Sequence, residues 1–277
     1  MQNMKKAKVL FVSQEITPYL DETYVGKISR KLPQGIQERG KEIRTFMPKY
    51  GCINERRHQL HEVIRLSGMN LVINDVDHPL IIKVASIPSA RMQVYFIDNE
   101  EFFHRKSVLT DKTSGKYFDD NDERAMFFVR GVVETVKKLG WAPDVIHCHG
   151  WFTSLMPLYI KKYYAEDPLF ADTKLVVSVY EEEFPKALNK KLVEKLGFDG
   201  FTKKDLKSIG EEANYVNFVK QAIDFADGII QGSEKINPEL EKFIKKSGKP
   251  FLPYKNETEY MDACNDFYDM VLEEVNV

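Results

Sequence analysis

The sequence has few cysteines, almost no net charge and no long apolar run. Among its 277 residues, only Cys52, Cys148 and Cys264 carry a thiol. Because a disulfide framework needs paired cysteines, we predict free thiols in a reducing cytoplasm. The formal net charge of -2 provides no attraction for nucleic acid or for an anionic membrane, and no apolar run is long enough to span a bilayer. We therefore predict no nucleic-acid partner and no membrane association.

What the sequence does contain is an alternation of strand and helix patterns. Near-continuous apolar runs predict strands at 8–13, 42–47, 144–148, 174–179 and 228–231. Apolar residues at helical spacing predict helices at 25–38, 119–139, 211–225, 238–246 and 257–274, and another from about 153. Uninterrupted apolar strands between helices are typical of sheets that are covered on both faces. We expect an α/β, Rossmann-like fold with a mainly parallel sheet and helices on both faces.

Three local features modify this pattern. Between about 61 and 97, short β-rich runs are joined by turn residues, which predicts a β-hairpin excursion from the parallel sheet. Pro33 lies inside the first predicted helix, and we expect it to bend or divide that helix because proline lacks a backbone donor. Residues 181–208 are charged and contain Pro185, so they are predicted to form an irregular insertion.

The domain organisation is predicted to be simple. Residues 1–247 are expected to form one domain that begins with the strand at 8–13 rather than with a secretion signal, because polar residues interrupt the apolar run. Residues 248–277 are expected to form a hinge and a terminal helix. The apolar stripe of that helix needs a partner surface in water, so we expect it to pack on the same domain.

Side chains that could bind a ligand or take part in catalysis are concentrated at one strand end. The strand at 144–148 is followed within a few residues by a helix, and ligands bind at that edge of open α/β sheets. His147, His149 and Trp151 stand there. Alternation along the strand sends Cys148 to the opposite face, and no fourth ligand is apparent, so no metal site is predicted.

Three segments carry a family resemblance. KVLFVSQEITPY at 8–19, YFDDNDERAMFF at 117–128 and LGWAPDVIHCHGW at 139–151 resemble the N-terminal domain of bacterial glycogen synthases and plant starch synthases. Those enzymes have a GT-B fold of two Rossmann-like domains and transfer glucose from ADP-glucose to an α-1,4-glucan. The resemblance implies one half of a GT-B fold, a glycosyltransferase function, and an α-glucan or a nucleotide sugar as ligand. It implies no cofactor.

The resemblance extends from about Lys8 to about Ile236. Only about 40 residues follow Ile236, whereas the family's second domain is of similar size to the first. The chain therefore resembles a GT-B protein without that second domain, in which the terminal helix corresponds to the family's last helix.

The donor-binding loop departs from the family's pattern of lysine, any residue, glycine, glycine and leucine. With the segments aligned without gaps, those positions carry Asp21, Glu22, Thr23, Tyr24 and Val25. Asp21 reverses the charge that would face a diphosphate, and Tyr24 fills space that a glycine would leave for a ligand. We expect donor binding to be lost, and we regard Gly26 and Lys27 as the remaining ligand-binding candidates in this loop.

The histidine motif is half retained. Residues 147–152 correspond to the family's histidine, any residue, histidine, aspartate, tryptophan and histidine, but the aspartate is replaced by Gly150 and the last histidine by Phe152. Tyr180 stands where the family has another histidine. The resemblance implies that His149 is a remnant catalytic group and that His147, Trp151 and Tyr180 are ligand-binding candidates. A histidine that is merely packed and hydrogen-bonded at a strand end is an equally good interpretation of His149.

Two hypotheses for function follow. The first is a glycosyltransferase domain with a degenerate donor loop, inactive alone or dependent on a partner that supplies the second domain. The alternative is a noncatalytic sugar- or protein-binding regulatory protein that kept the fold.

Aromatic residues favour interfaces, so we expect the sheet edge to be covered by residues 181–208, by a second copy or by another protein. The aromatic residues at that edge are Tyr19, Tyr24, Trp151, Phe152 and Tyr180.

Overall fold

Parallel pairing dominates the sheet at the centre of the protein. The structure is a computed structural model that describes residues 6–184, 186–210 and 212–273. The strands are β1 (Lys8–Ser13), β2 (Glu42–Pro48), β3 (His61–Glu62), β4 (Met69–Ile73), β5 (Val76–Ile87), β6 (Met92–Asp98), β7 (Val145–His149), β8 (Lys174–Val179), β9 (Gly228–Gln231) and β10 (Phe251–Leu252). They follow the order β10-β9-β8-β7-β1-β2-β6-β5-β3, and β4 pairs with β5.

The strand directions confirm the predicted sheet. Every pair from β10 to β6 is parallel, whereas β3, β4 and β6 run antiparallel to β5. The antiparallel part is the β-hairpin excursion predicted at about 61–97. From β1 the chain moves first to β2 and later returns to β7 on the other side. The strand order therefore reverses between β1 and β7, where ligand crevices form in open α/β sheets.

Helices connect these strands. The α-helices are α1 (Tyr24–Glu38), α2 (Glu55–His58), α3 (Glu100–Phe103), α4 (Asn121–Lys138), α5 (Met156–Leu158), α6 (Leu192–Phe198), α7 (Tyr215–Phe225), α8 (Pro238–Ser247) and α9 (Tyr260–Glu273). Short 3-10 helices occupy Pro88–Ala90 and Trp151–Thr153, and a π-helical turn occupies Tyr159–Tyr163. Three short pieces (Trp151–Thr153, α5 and the π-helical turn) thus replace the single helix that is predicted from about 153.

Alternation along the strands builds a core on each face of the sheet. On β1, Leu10 and Val12 belong to the core that contains α4 and α7. Val9 and Phe11 face the other way and join a smaller core with α1 and α9. Successive strand side chains point to opposite faces, so a continuous apolar strand requires helices on both faces. This arrangement confirms the predicted α/β architecture.

Pro33 does not divide the first helix, and the prediction of a split is wrong. Helix α1 runs without interruption through Pro33. A proline at this position removes only the hydrogen bond to the carbonyl group of Ser29. Buried Ile28, Leu32 and Ile36 pack on the sheet before and after it, so tertiary packing holds both halves in one helix.

Polar side chains set where two other helices begin. The side chain of Asn214 accepts a hydrogen bond from the Asn217 amide at 2.9 Å and caps α7, so this helix begins at Tyr215 rather than at 211. Asn256 Oδ1 accepts bonds from Thr258 N and Glu259 N and forms a turn before α9. Several residues of the predictions lie outside the described residues: Pro185, Glu211 and residues 274–277.

The terminal helix α9 packs closely on the smaller core. Its buried residues are Tyr260, Cys264, Phe267, Tyr268 and Val271. A Cβ atom on Gly228 at the start of β9 would lie 2.9 Å from the Phe267 ring, and one on Gly35 in α1 would lie 2.7 Å from Met261 Sδ. Both glycines therefore let α9 approach the rest of the domain closely.

Truncation of Phe267 tests the contribution of α9 to stability. Phe267 is 4% exposed, whereas Met270 on the same helix is 41% exposed. We expect Phe267→Ala to lower the free energy of unfolding by about 3–5 kcal/mol, because a buried cavity replaces the ring. Met270→Ala is the matched control and should change it by no more than about 0.5 kcal/mol. Equal effects in urea denaturation would contradict the packing of α9.

Candidate functional site

The predicted site residues gather where β1, β7 and β8 end. In the parallel register, Ser13 of β1 is the partner of His149 in β7, and His149 is the partner of Ser178 in β8. Partner residues of neighbouring strands point to the same face of a sheet. This face is the one that α1 and α9 cover. The two histidines of β7 are therefore enclosed between the sheet and these helices.

His147 is held from both sides of its ring. Its Nδ1 lies 2.6 Å from the hydroxyl group of Tyr268 in α9, and its Nε2 lies 2.7 Å from Ser178 Oγ. Burial, with a contribution from neighbouring His149, lowers the pKa of His147 well below its usual range. Since both ring nitrogens are occupied by the protein itself, the structure does not support the ligand-binding role that the resemblance implies for His147.

His149 is enclosed as completely. It is 0% exposed, and its Nδ1 lies 2.7 Å from the hydroxyl group of Tyr180. Among the described residues, its Nε2 has no hydrogen-bond partner. Burial lowers the pKa of His149 to about 3, because a charged imidazolium loses its hydration there. The ring is therefore neutral and out of reach of a substrate in this conformation.

Tyr180 closes the space above His149 and is itself fixed from two sides. A Cβ atom on Gly232, just after β9, would lie 2.4 Å from the Tyr180 ring, so only glycine permits this contact. The Tyr24 hydroxyl donates to the Gly232 carbonyl oxygen at 2.9 Å, and the two tyrosine rings meet edge to face with centroids 6.2 Å apart. We call Tyr24, Tyr180 and Gly232 the tyrosine cover.

The structure also explains the glycine at position 150. Gly150 has a φ of +84°, and a Cβ atom there would lie 2.2 Å from Gln14 Cδ. The Gln14 side chain accepts a hydrogen bond from Phe152 N at 3.3 Å and donates to Glu182 Oε1 at 2.6 Å. Gln14 thus occupies the space that the aspartate of the family pattern would need.

Glu182 supplies a carboxyl group to this edge from the neighbouring strand end. Burial raises the pKa of Glu182 to about 7, against the lowering effect of the bond from Gln14, and nearby Glu15 adds to the rise. Sequence reasoning missed Gln14, Glu182 and Gly232. Gly150 in place of an aspartate was the available signal, because it implies that another side chain fills the vacated space.

The two candidates in the donor loop have different environments. Gly26 lies in the first turn of α1, where its amide donates to Thr23 Oγ1 at 2.9 Å and its carbonyl oxygen accepts from Thr17 N at 3.1 Å. Lys27 is exposed, and its ammonium group lies 2.6 Å from Glu22 Oε1. The hydrogen bond with Glu22 raises the pKa of Lys27. The positive charge nearest to the loop is therefore already paired.

The chain covers its own sheet edge at Trp151 and Phe152. Both are buried, and the Trp151 ring lies 4.9 Å, between centroids, from the ring of Phe184 in the insertion. The predicted insertion therefore covers Trp151 at the sheet edge, as one of the three expectations has it. In this conformation neither Trp151 nor Phe152 is accessible to a ligand or to a second copy of the chain. Among the aromatic residues of the edge, Tyr24 remains 43% exposed.

Two cavities flank the donor loop. The larger has a volume of about 880 Å³ and lies between residues 15–23, 52–58 and 107–117. The smaller, of about 420 Å³, lies between the tyrosine cover, Glu182 and Tyr254. Glu15 and Thr23 line both. In the part of the chain that the structure describes, no group of three His, Cys, Asp or Glu side chains could hold a metal ion, and no helix has the length and apolarity to cross a membrane.

The contact between Gly150 and Gln14 gives a test of this geometry. We expect Gly150→Ala to destabilise the protein because the added Cβ atom meets Gln14 and because the backbone there, at φ +84° and ψ 156°, is a conformation that essentially only glycine adopts, which alone costs about 1–3 kcal/mol. Adding Gln14→Ala should recover part of the loss in urea denaturation, since it removes the obstructing side chain. Strictly additive effects of the two substitutions would show that the side chain of Gln14 is not the obstacle.

Comparison with known proteins relates these features to one group of sequences. The sequence model of the starch synthase catalytic domain matches residues 8–248. The chain is 42% identical to a glycogen synthase of Chlorobium limicola over 173 residues, which are 62% of this chain and 35% of that protein. It is 34% identical to a glycogen synthase of Chlorobaculum tepidum over 263 residues, with coverage of 88% and 51%. The chain therefore spans between about a third and a half of the length of these relatives.

A solved structure shares the fold. The catalytic domain of Starch Synthase IV from Arabidopsis thaliana, bound to ADP and acarbose, superposes with a TM-score of 0.71 and covers 91% of this chain and 52% of its own. The sequence identity of 19% limits this likeness to the fold. The family match covers most of the chain, and it confirms the resemblance read from the three sequence segments. The chain belongs to the starch synthase catalytic domain family, together with the glycogen synthases.

Proposed function

We propose that this chain is a noncatalytic member of its family, a pseudoenzyme that keeps the glycosyltransferase fold but does not transfer glucose from ADP-glucose. It would act as a binding or regulatory domain. The observation that carries this proposal is the enclosure of His149. A residue that contacts a transferred sugar needs an accessible ring, and this imidazole is 0% exposed with Tyr180 bonded to its Nδ1.

The donor loop supports the same conclusion. A diphosphate needs donors and positive charge, but Asp21 stands at the family's lysine position and Lys27 is paired with Glu22. The side chain of Tyr24 reaches across the edge to the Gly232 carbonyl oxygen. An ADP-sugar would have to break this contact between Tyr24 and Gly232, and its diphosphate would still face the carboxylate of Asp21.

The proposal leaves a sugar as the first ligand class to examine. The Arabidopsis domain was solved with ADP and acarbose, and because the donor loop of this chain disfavours a nucleotide sugar, an α-glucan is the natural first ligand to try. A protein partner or a homodimer would have to bind through exposed residues of the edge such as Tyr24. Residues 1–247 would form one domain with 248–277 packed on it, because β10 pairs with β9 and α9 packs on the smaller core. Three free cysteines favour a reducing compartment such as the cytoplasm.

An assay of ADP release tests the proposal directly. Purified protein is mixed with ADP-glucose and glycogen, and the ADP formed is followed by a coupled reaction. We expect no release above the protein-free rate, while the glycogen synthase of Chlorobaculum tepidum serves as the positive control. Calorimetry with ADP-glucose should show no measurable heat of binding, because the cover occupies the donor side of the edge.

Glycogen-dependent ADP release that disappears in His149→Ala would contradict the proposal, because it would show that the enclosed imidazole takes part in the transfer of glucose. The double variant Asp21→Lys with Tyr24→Gly, which restores the family's charge and space in the donor loop, is the matched comparison. If ADP-glucose binding gives heat with this double variant but not with the original protein, the substitutions in the donor loop are the cause of the lost donor binding.

A further inference from the structure

The larger cavity has the dimensions of a small-molecule site. Its volume of about 880 Å³ lies within the range of about 300–1,000 Å³ that is typical of ligand pockets. Its walls come from residues 15–23, 52–58 and 107–117. The residues of the tyrosine cover are not among those that line this cavity.

One part of the wall carries positive charge that the protein does not use. Within the described residues, Arg57 and Lys112 form no ion pair, and their charged groups make no hydrogen bond. The acidic residue nearest to Arg57 along the chain, Glu55, accepts instead from Lys49 and Lys83. Burial and the charge of Arg57 lower the pKa of His58, so this neighbour is a neutral imidazole at neutral pH. Arg57 and Lys112 are therefore available for an anion.

Another part of the wall offers acceptors for hydroxyl groups. Glu15 and Asp21 line the cavity, and Glu15 already accepts from the Thr23 hydroxyl at 2.8 Å. Carboxylates accept hydrogen bonds from hydroxyl groups through two oxygens. Burial raises the pKa of Glu15. A ligand that donates several hydroxyl groups fits this part, whereas a second anionic group does not.

Tyr19 adds an unsatisfied polar group to the same wall. It is 5% exposed, and its ring is fixed by edge-to-face contacts with His58 at 5.1 Å and Phe96 at 4.8 Å between centroids. In the described part of the chain, its hydroxyl group and Thr17 Oγ1 are buried without a hydrogen-bond partner. A buried polar atom without a partner is costly, so a ligand group that reaches the Tyr19 hydroxyl group would stabilise it.

The two charged parts of the wall face a common space. Asp21, Cys52 and Lys112 all line this one cavity, and the charges of Lys112 and Asp21 both act on the Cys52 thiol group. A neutral sugar would leave Arg57 and Lys112 unpaired. A diphosphate would bring a second negative charge to a wall that already carries Glu15 and Asp21. A sugar that carries one anionic group satisfies both parts of the wall.

We propose that this cavity is a binding site for an anionic sugar, whose phosphate or carboxylate group pairs with Arg57 and Lys112 and whose hydroxyl groups bond to Glu15, Asp21 and Tyr19. The site is separate from the enclosed His149, so it does not depend on whether the chain transfers glucose. It gives the noncatalytic domain a ligand that differs from ADP-glucose in carrying a single anionic group.

Titration calorimetry on the full chain tests the site with four probes: glucose 6-phosphate, glucuronate, glucose and inorganic phosphate. We expect one of the two anionic sugars to bind at least about tenfold more tightly than glucose and than inorganic phosphate, since each lacks one half of the contacts. Which anionic sugar binds tightly identifies the phosphate or the carboxylate as the natural group. Affinity should fall as salt is raised, because the cations are exposed.

Variants separate the site from general charge effects. The double variant Arg57→Gln with Lys112→Gln should weaken binding by about tenfold or more, and the matched control is Arg65→Gln with Lys203→Gln, which removes the same charges from exposed positions elsewhere. Tyr19→Phe should weaken binding without lowering the melting temperature. Glucose or inorganic phosphate binding as tightly as the anionic sugars, equal losses in the control, or no binding at millimolar concentration would overturn the proposal. None of these results depends on the assay of ADP release.

Discussion

The hydrogen bond between the Tyr180 hydroxyl group and His149 Nδ1 determines the organisation of the sheet edge. Both groups are buried, and the bond is 2.7 Å long. A buried polar atom that loses its partner costs about 1–3 kcal/mol, so the tyrosine and the histidine must stay together. The ring of Tyr180 then needs a glycine at position 232, and the carbonyl group of that glycine holds Tyr24. One local requirement thus accounts for the contact of Tyr180 with Gly232 and for that of Tyr24 with Gly232.

The same reasoning connects the terminal helix to the site. His147 bonds to Tyr268 of α9 and to Ser178 of β8, so the helix is fixed to the strand end by a polar contact as well as by apolar packing. Burial keeps both imidazoles neutral. His147 therefore connects β7 to α9 and to β8, and His149 connects β7 to Tyr180, directly after β8. In this chain the residues that resemble a catalytic motif stabilise the fold.

Local signals in the sequence predicted most of the architecture. Apolar periodicity is a property of neighbouring residues, so the strands at 8–13 and 174–179 and the helix at 238–246 were predicted closely. The position of His147 and His149 at the carboxyl end of a parallel strand followed from the local order of strand, loop and helix. The family resemblance, which the comparisons confirm, added the GT-B half-fold.

What sequence reasoning missed depends on contacts between distant segments. Gln14 and Glu182 are 168 positions apart, and no pattern in either segment predicts that they meet below Gly150. The sequence around Trp151 and Phe152 is compatible with an exposed interface, but in the structure Phe184 packs on Trp151. Pro33 was expected to disturb α1, but the apolar residues around it pack on the sheet and outweigh one lost hydrogen bond. In each case tertiary contacts decided between two local interpretations.

The organisation of this edge requires His149 to be buried as a neutral imidazole. Nitrogen-15 NMR of the histidine rings measures this state, with the His149 signals identified by their loss in His149→Gln. We expect the His149 ring to stay in one neutral tautomer from about pH 8 to about pH 5, because burial lowers its pKa to about 3, whereas an accessible histidine titrates near about 6.5. A His149 ring that titrates in that range, or that averages between tautomers, would show that the imidazole is open to solvent and that the enclosure described for it is wrong.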